Sequence, residues 1–142
     1  VRFFSTATLR ERVSPSTNAH KGLTNAIQFS PDGRMMATAN FDGSVRLWDW
    51  RPGTVTAVLE GHQGWIGSVA FSPDGRRLLA GGQDGTITFW SLPDLQELVS
   101  FQRHPDLVSG LIFSRDGGML ISTGGPVGRI WHAGSVLNAK SR

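Results

Sequence analysis

The chain has 142 residues, 39% of them hydrophobic and 18% charged, with a formal charge of +3 and no cysteine. The missing cysteine excludes a disulfide framework and a thiolate metal site, and no apolar run reaches the roughly 18 residues that a membrane-spanning helix needs. The basic excess sits at the two ends, at Arg2, Arg10, Arg12 and Lys21 and at Arg129, Lys140 and Arg142, while the interior is slightly acidic; that distribution argues against the basic stripe that nucleic-acid binding requires. No charged-then-apolar leader opens the chain, so the expected location is cytoplasmic. Its first residue is Val, which points to a processed product or a piece of something longer.

In chain order, residues 1–19 read as the end of a preceding unit or as a closing strand. Val1-Arg2-Phe3-Phe4-Ser5 lines up with Val45-Arg46-Leu47-Trp48-Asp49 further on, and residues 8–13 would then form an outermost strand. A first full unit occupies residues 20–60, from His20 through Phe29-Ser30-Pro31-Asp32-Gly33 to Asp42-Gly43 and Trp48-Asp49. A second occupies 61–102, from His62 through Phe71-Ser72-Pro73-Asp74-Gly75 to Asp84-Gly85 and Trp90. A third, atypical and terminal in character, occupies 103–142. It runs from His104 through Phe113-Ser114-Arg115-Asp116-Gly117 to Trp131, with Gly124-Gly125-Pro126-Val127-Gly128 in place of the Asp-Gly hairpin.

The histidines and the phenylalanines recur every 42 residues. Within each unit short alternating segments are separated by turn residues: proline fixes φ early in the Ser-Pro-Asp-Gly turn and glycine takes positive φ later. Asp-Gly marks a tight hairpin. No segment carries a helical apolar period, so the chain is predicted to be all-β, with four short strands per unit.

On these landmarks the chain resembles the WD-repeat (WD40) β-propeller family. The resemblance implies about three four-stranded blades, which make an incomplete ring in one chain, because closed propellers have four or more. It also implies a hydrogen-bonded structural tetrad in each blade. His20, Thr38, Asp42 and Trp48 match in the first unit; His62, Asp84 and Trp90 match in the second, with Ala80 at the hydroxyl position; His104, Ser122 and Trp131 match in the third, where the Asp is missing.

A recurring His, Asp and hydroxyl also invites a hydrolase reading. That reading fails on its own pattern: the set repeats with the structural period, and two of its three copies lack a member. No catalytic residue, cofactor site or metal site is assigned. The turn residues Asp32, Asp74 and Asp116 are read as caps of their own backbone. Trp65 stands where the sister units carry Leu23 and Leu107 and is read either as core or as a binding anchor. Phe41 and Gln83, each just before a hairpin Asp, occupy a position that the resemblance places on a partner-binding face.

The expected function is a non-enzymatic protein-interaction scaffold. Its ring would close by self-assembly, with a homo-oligomeric dimer favoured over a trimer, or within a longer chain. The alternative is a sensor or regulatory segment of a larger multidomain NTPase or kinase-type protein.

Overall fold

The structure, a computed structural model, describes residues 4–11 and 22–132. Among them there is no helix, and so none long and apolar enough to cross a membrane. The first blade contains β1 (Thr24–Phe29), β2 (Met35–Asn40), β3 (Val45–Asp49) and β4 (Thr54–Leu59). The second contains β5 (Ile66–Phe71), β6 (Arg77–Gly82), β7 (Thr86–Ser91) and β8 (Glu97–Gln102). The third contains β9 (Val108–Phe113), β10 (Met119–Gly124) and β11 (Val127–His132). Each blade is an antiparallel meander with its strands in sequence order. The strand considered for the end of the third unit, and His20 in the first, lie outside the described residues.

The turns explain why the strands start and stop where they do. In the first blade the Ser30 hydroxyl donates to Asp32 and accepts the Met35 N–H at 2.9 Å, while Asp32 accepts the Arg34 N–H at 3.0 Å. Ser72 and Asp74 repeat these bonds in the second blade, and Ser114 and Asp116 in the third. All three aspartates therefore cap their own turn, and the serine hydroxyl holds each carboxyl below its ordinary pKa.

The second blade has one face toward the first blade and the other toward the third. Ala37, Ala39 and Leu47 face forward from the first blade onto Ile66, Val69, Phe71, Leu78 and Trp90 of the second, all buried together. Ala70, Leu79, Ile87 and Phe89 face forward from the second onto Val108, Leu111 and Leu120 of the third. The inner strands are also stitched by side chains. Asn25 Nδ2 donates to the Ile66 carbonyl at 2.9 Å, Phe71 N–H donates to Gln28 Oε1 at 2.6 Å, and Ser68 Oγ donates to the Val108 carbonyl at 2.9 Å.

At the trailing end of the arc the pattern stops. Ile112, Ile121 and Ile130 hold the positions of Ala70, Leu79 and Phe89 but are 62%, 39% and 64% exposed. Three branched apolar side chains thus lie exposed on one face of the third blade.

Two hairpin glycines set how closely consecutive blades approach. Gly43 and Gly85 both take positive φ, and each packs against the loop that opens the following blade. A Cβ on Gly85 would collide with the His104 carbonyl oxygen, whereas one on Gly33, also at positive φ, meets nothing within 4 Å. Gly33→Ala should cost about 1 kcal/mol, from backbone strain alone. Gly85→Ala should cost at least about 3 kcal/mol, because backbone must move as well. Comparable denaturant midpoints for the two variants would remove Gly85 from the blade junction.

Candidate functional site

The polar residues that recur with the repeat are mostly enclosed. In the first blade Trp48 Nε1 donates to Thr38 Oγ1 at 3.0 Å, and Thr38 is fully buried. Asp42 turns to its own hairpin: it accepts bonds from Ser44 and a 2.9 Å ion pair from Arg46, whose side chain is mostly covered. Burial alone would raise the Asp42 carboxyl, but the hydrogen bonds from Arg46 and Ser44 override it and hold the pKa at about 2.

The second blade has Ala80 where Thr38 stands in the first. His62 there meets Thr86 Oγ1 through Nδ1 at 2.9 Å, Asp84 lies 3.8 Å from the same nitrogen, and Nε2 is buried with no hydrogen-bond partner. In the third blade Ser122 Oγ accepts the Trp131 indole N–H at 2.8 Å and pairs with His104 Nε2 at 2.8 Å, leaving His104 Nδ1 buried and unbonded.

These bonds do not make a nucleophile. Thr86 gives its proton to Asp84 rather than to the imidazole, and Ser122 and Thr38 are fully buried, so no substrate atom reaches either hydroxyl. Burial favours the neutral imidazole and lowers the pKa of both His62 and His104; Asp84 partly opposes it at His62, and Arg129 reinforces it at His104.

The exposed residues tell a different story. Phe41 of the first blade lies flat against Trp65 of the second, with ring centroids 5.2 Å apart and planes 6° apart. Trp65 is half-buried and Phe41 is 45% exposed. Gln83 is exposed beside them, its N–H donating to the Trp65 carbonyl at 2.9 Å. The three residues that the sequence singled out separately thus form one ledge across the junction of the first two blades. Leu23, 69% exposed, extends it, since its carbonyl accepts the Phe41 N–H at 3.0 Å.

Next to the ledge, separated by the contact of Gly43 with the His62–Gly64 loop, opens a polar cleft of about 570 Å³ lined by Asp42, Arg46, Glu60, His62 and Gln63 among others. Sequence reasoning missed Arg46, Glu60 and Gln63. Their signal was only their place beside the hairpin and the histidine. Among the described residues no group of three or more His, Asp and Glu side chains converges as metal ligands would.

Stacked antiparallel meanders, joined face to face at a 42-residue period, define this as a repeat protein of the β-propeller class. The family model described as "WD domain, G-beta repeat" matches residues 12–49 and 53–91, just over half of the chain, and the chain belongs to that family. Over 34 residues it is 53% identical to ribosome assembly protein 4 of Saccharomyces cerevisiae, covering 24% of this chain and 7% of that protein. Over 42 residues it is 48% identical to a Notchless protein homolog of Arabidopsis thaliana, covering 30% of this chain and 9% of that protein. Each match is about one repeat long, and the aligned stretch spans less than a tenth of either relative.

Two outcomes are expected of the enclosed residues. Asp42→Ala should lower stability by about 1–3 kcal/mol, because it strips Arg46 and Ser44 of their acceptor; an unchanged urea midpoint would contradict that. Depressed histidine pKa values mean that their contribution is present above the ordinary value of 6.5 and lost as pH falls through the folded values. Asp42, ionised down to about 2, adds nothing to that loss. The melting temperature should therefore drop as pH falls below about 6.5, the ordinary histidine value. A flat profile there would show that neither imidazole resists protonation.

Proposed function

We propose that this chain is a non-enzymatic protein-interaction scaffold, and that the Phe41–Trp65–Gln83 ledge is where it grips a partner. The observation that carries the reading is the parallel aromatic stack, left part-exposed on a rigid junction between blades. Stacked aromatics supply contact area with little side-chain entropy to lose, and such residues dominate binding hot spots. The fully buried Thr38 and Ser122 hydroxyls support the same reading, since neither is open to a substrate while the aromatic ledge faces out. The names of the two relatives carry less weight, because the alignment to each covers a single repeat.

The reading extends to the ring. The uncovered Ile112, Ile121 and Ile130 face calls for another blade, which a second copy of the chain or further repeats of a longer protein would supply. A homodimer is the favoured self-assembled form. Light scattering on the purified chain should give the mass of two copies; a single-chain mass at high concentration would remove self-assembly.

For the ledge, a displayed library of random peptides selected on the chain should yield binders. Phe41→Ala or Trp65→Ala should weaken these at least tenfold, Gln83→Ala less, and Arg115→Ala not at all. Binders that are indifferent to both aromatic substitutions would locate the partner site elsewhere.

A further inference from the structure

The two junctions between blades repeat at a 42-residue offset, so each position at the first has a counterpart at the second. Leu59 pairs with Val45 at the end of β4 as Phe101 pairs with Ile87 in β8, which sets Glu60 against Gln102 and Gly61 against Arg103. At the second junction the Gln102 side chain reaches across to the hairpin, where its Nε2 donates to the Asp84 carbonyl at 2.9 Å. Beside it Arg103 brings a positive charge. Both features are reversed at the first junction. The Glu60 carboxylate has no proton to give to the Asp42 carbonyl, and Gly61 has no side chain at all. The same place there carries a negative charge and is open, for it lines the cleft of about 570 Å³.

Arg46 does not offset that charge. It lies 2.9 Å from Asp42 and donates to Ser44 Oγ at 2.7 Å, with 11% of its side chain exposed. The His62 side chain is fully enclosed. Glu97 approaches from the second blade, its Oε2 3.3 Å from where a Cβ on Gly61 would stand. Ion pairs are made by Arg34 with Asp32, Arg46 with Asp42 and His62 with Asp84. Glu60 and Glu97 are exposed carboxylates with no cationic partner among the described residues. The aromatic departures fall at this same junction, with Phe41 where the second has Gln83 and Trp65 where it has Leu107. Along the two loops the ledge and the cleft are close, Phe41 near Ser44 and Trp65 near His62 in the chain. An extended peptide crosses from one to the other in about two to four residues.

We propose that the partner segment held on the Phe41–Trp65 ledge is a basic one, an extended peptide that sets an apolar residue on the aromatic pair and an arginine or lysine in the adjoining cleft. The N–H groups of that cation take the place that the Gln102 amide holds at the second junction and donate to the Asp42 carbonyl. Its charge is met by Glu60 and Glu97. Hydrogen bonds from a charged donor are the stronger kind, and complementary charge orients a partner and speeds its arrival. The inference rests on the ledge reading and gives it a class of partner.

Random displayed peptides can be selected in parallel on the chain and on its Glu60→Gln variant, which removes the charge and supplies an amide of the Gln102 kind. Glu60 is exposed, so the variant should keep the parent's melting temperature. Peptides selected on the parent should carry Arg or Lys within about two to four residues of an aromatic or aliphatic residue. Those selected on the variant should keep the apolar residue and lose the basic one. For one parent-selected peptide, Glu60→Gln and replacement of the peptide's basic residue by alanine should each weaken binding about threefold or more at low ionic strength, with no further loss when combined. Asp94→Asn, an exposed charge between β7 and β8, should change nothing. Binders that need Phe41 and Trp65 but show no basic enrichment and ignore Glu60→Gln would overturn the basic-segment proposal and leave the ledge standing. Binders indifferent to both aromatics would overturn the ledge reading and this proposal with it. An equal loss from Asp94→Asn would reduce the effect to net charge and overturn the cleft.

Discussion

The whole structure depends on burying sheet faces against the next sheet. A single four-stranded blade has two apolar faces and no means of covering either, and an isolated sheet of that size is marginal in water. Leu47, Leu78, Leu79, Phe89 and Trp90 are each at most 3% exposed only because a neighbouring blade lies over them. Each such side chain contributes about 1.5–3 kcal/mol on burial, so a junction holding several outweighs any one polar contact. The side-chain stitches from Asn25, Gln28 and Ser68 are smaller contributions, but they fix how far one inner strand slides along the next.

Within that apolar stack the polar residues behave as inserts that must be satisfied. The first and third blades give the tryptophan indole a hydroxyl, from Thr38 and Ser122. The second blade has Ala80 and leaves His62 Nε2 without a bond; the third lacks the hairpin Asp and leaves His104 Nδ1 without one. An unbonded buried nitrogen is a standing cost of about 1–3 kcal/mol. It is tolerated because packing dominates each junction. Burial lowers the pKa of both imidazoles, which is what makes stability acid-sensitive.

The Phe41–Trp65 ledge is a by-product of the same stacking. Gly43 has no Cβ, which lets the first hairpin approach the loop of the second blade; that approach brings Phe41 to Trp65. The ledge is therefore as rigid as the junction beneath it. A scaffold of this kind changes its partner by changing loop residues and leaves the buried faces alone.

Much of this was legible in the sequence. The 42-residue period, the Ser-Pro-Asp-Gly turns and the alternation within strands determined an all-β repeat, because turn chemistry and side-chain period are local properties of the backbone. Trp65 stood out as a departure from the leucines of its sister units, and Phe41 and Gln83 by their place just before a hairpin Asp. That they form one surface is a fact of the junction between blades, since Phe41 and Trp65 lie 24 residues apart and belong to different sheets. His20, the histidine of the first unit, lies outside the described residues, and Asp42 is paired with Arg46, which shares its hairpin. Which faces are covered and which are open was decided only in three dimensions. Nothing in the sequence sets Ile112, Ile121 and Ile130 apart from the buried apolar residues of the other blades, and only the position of a neighbouring blade determines whether an apolar face meets protein or water.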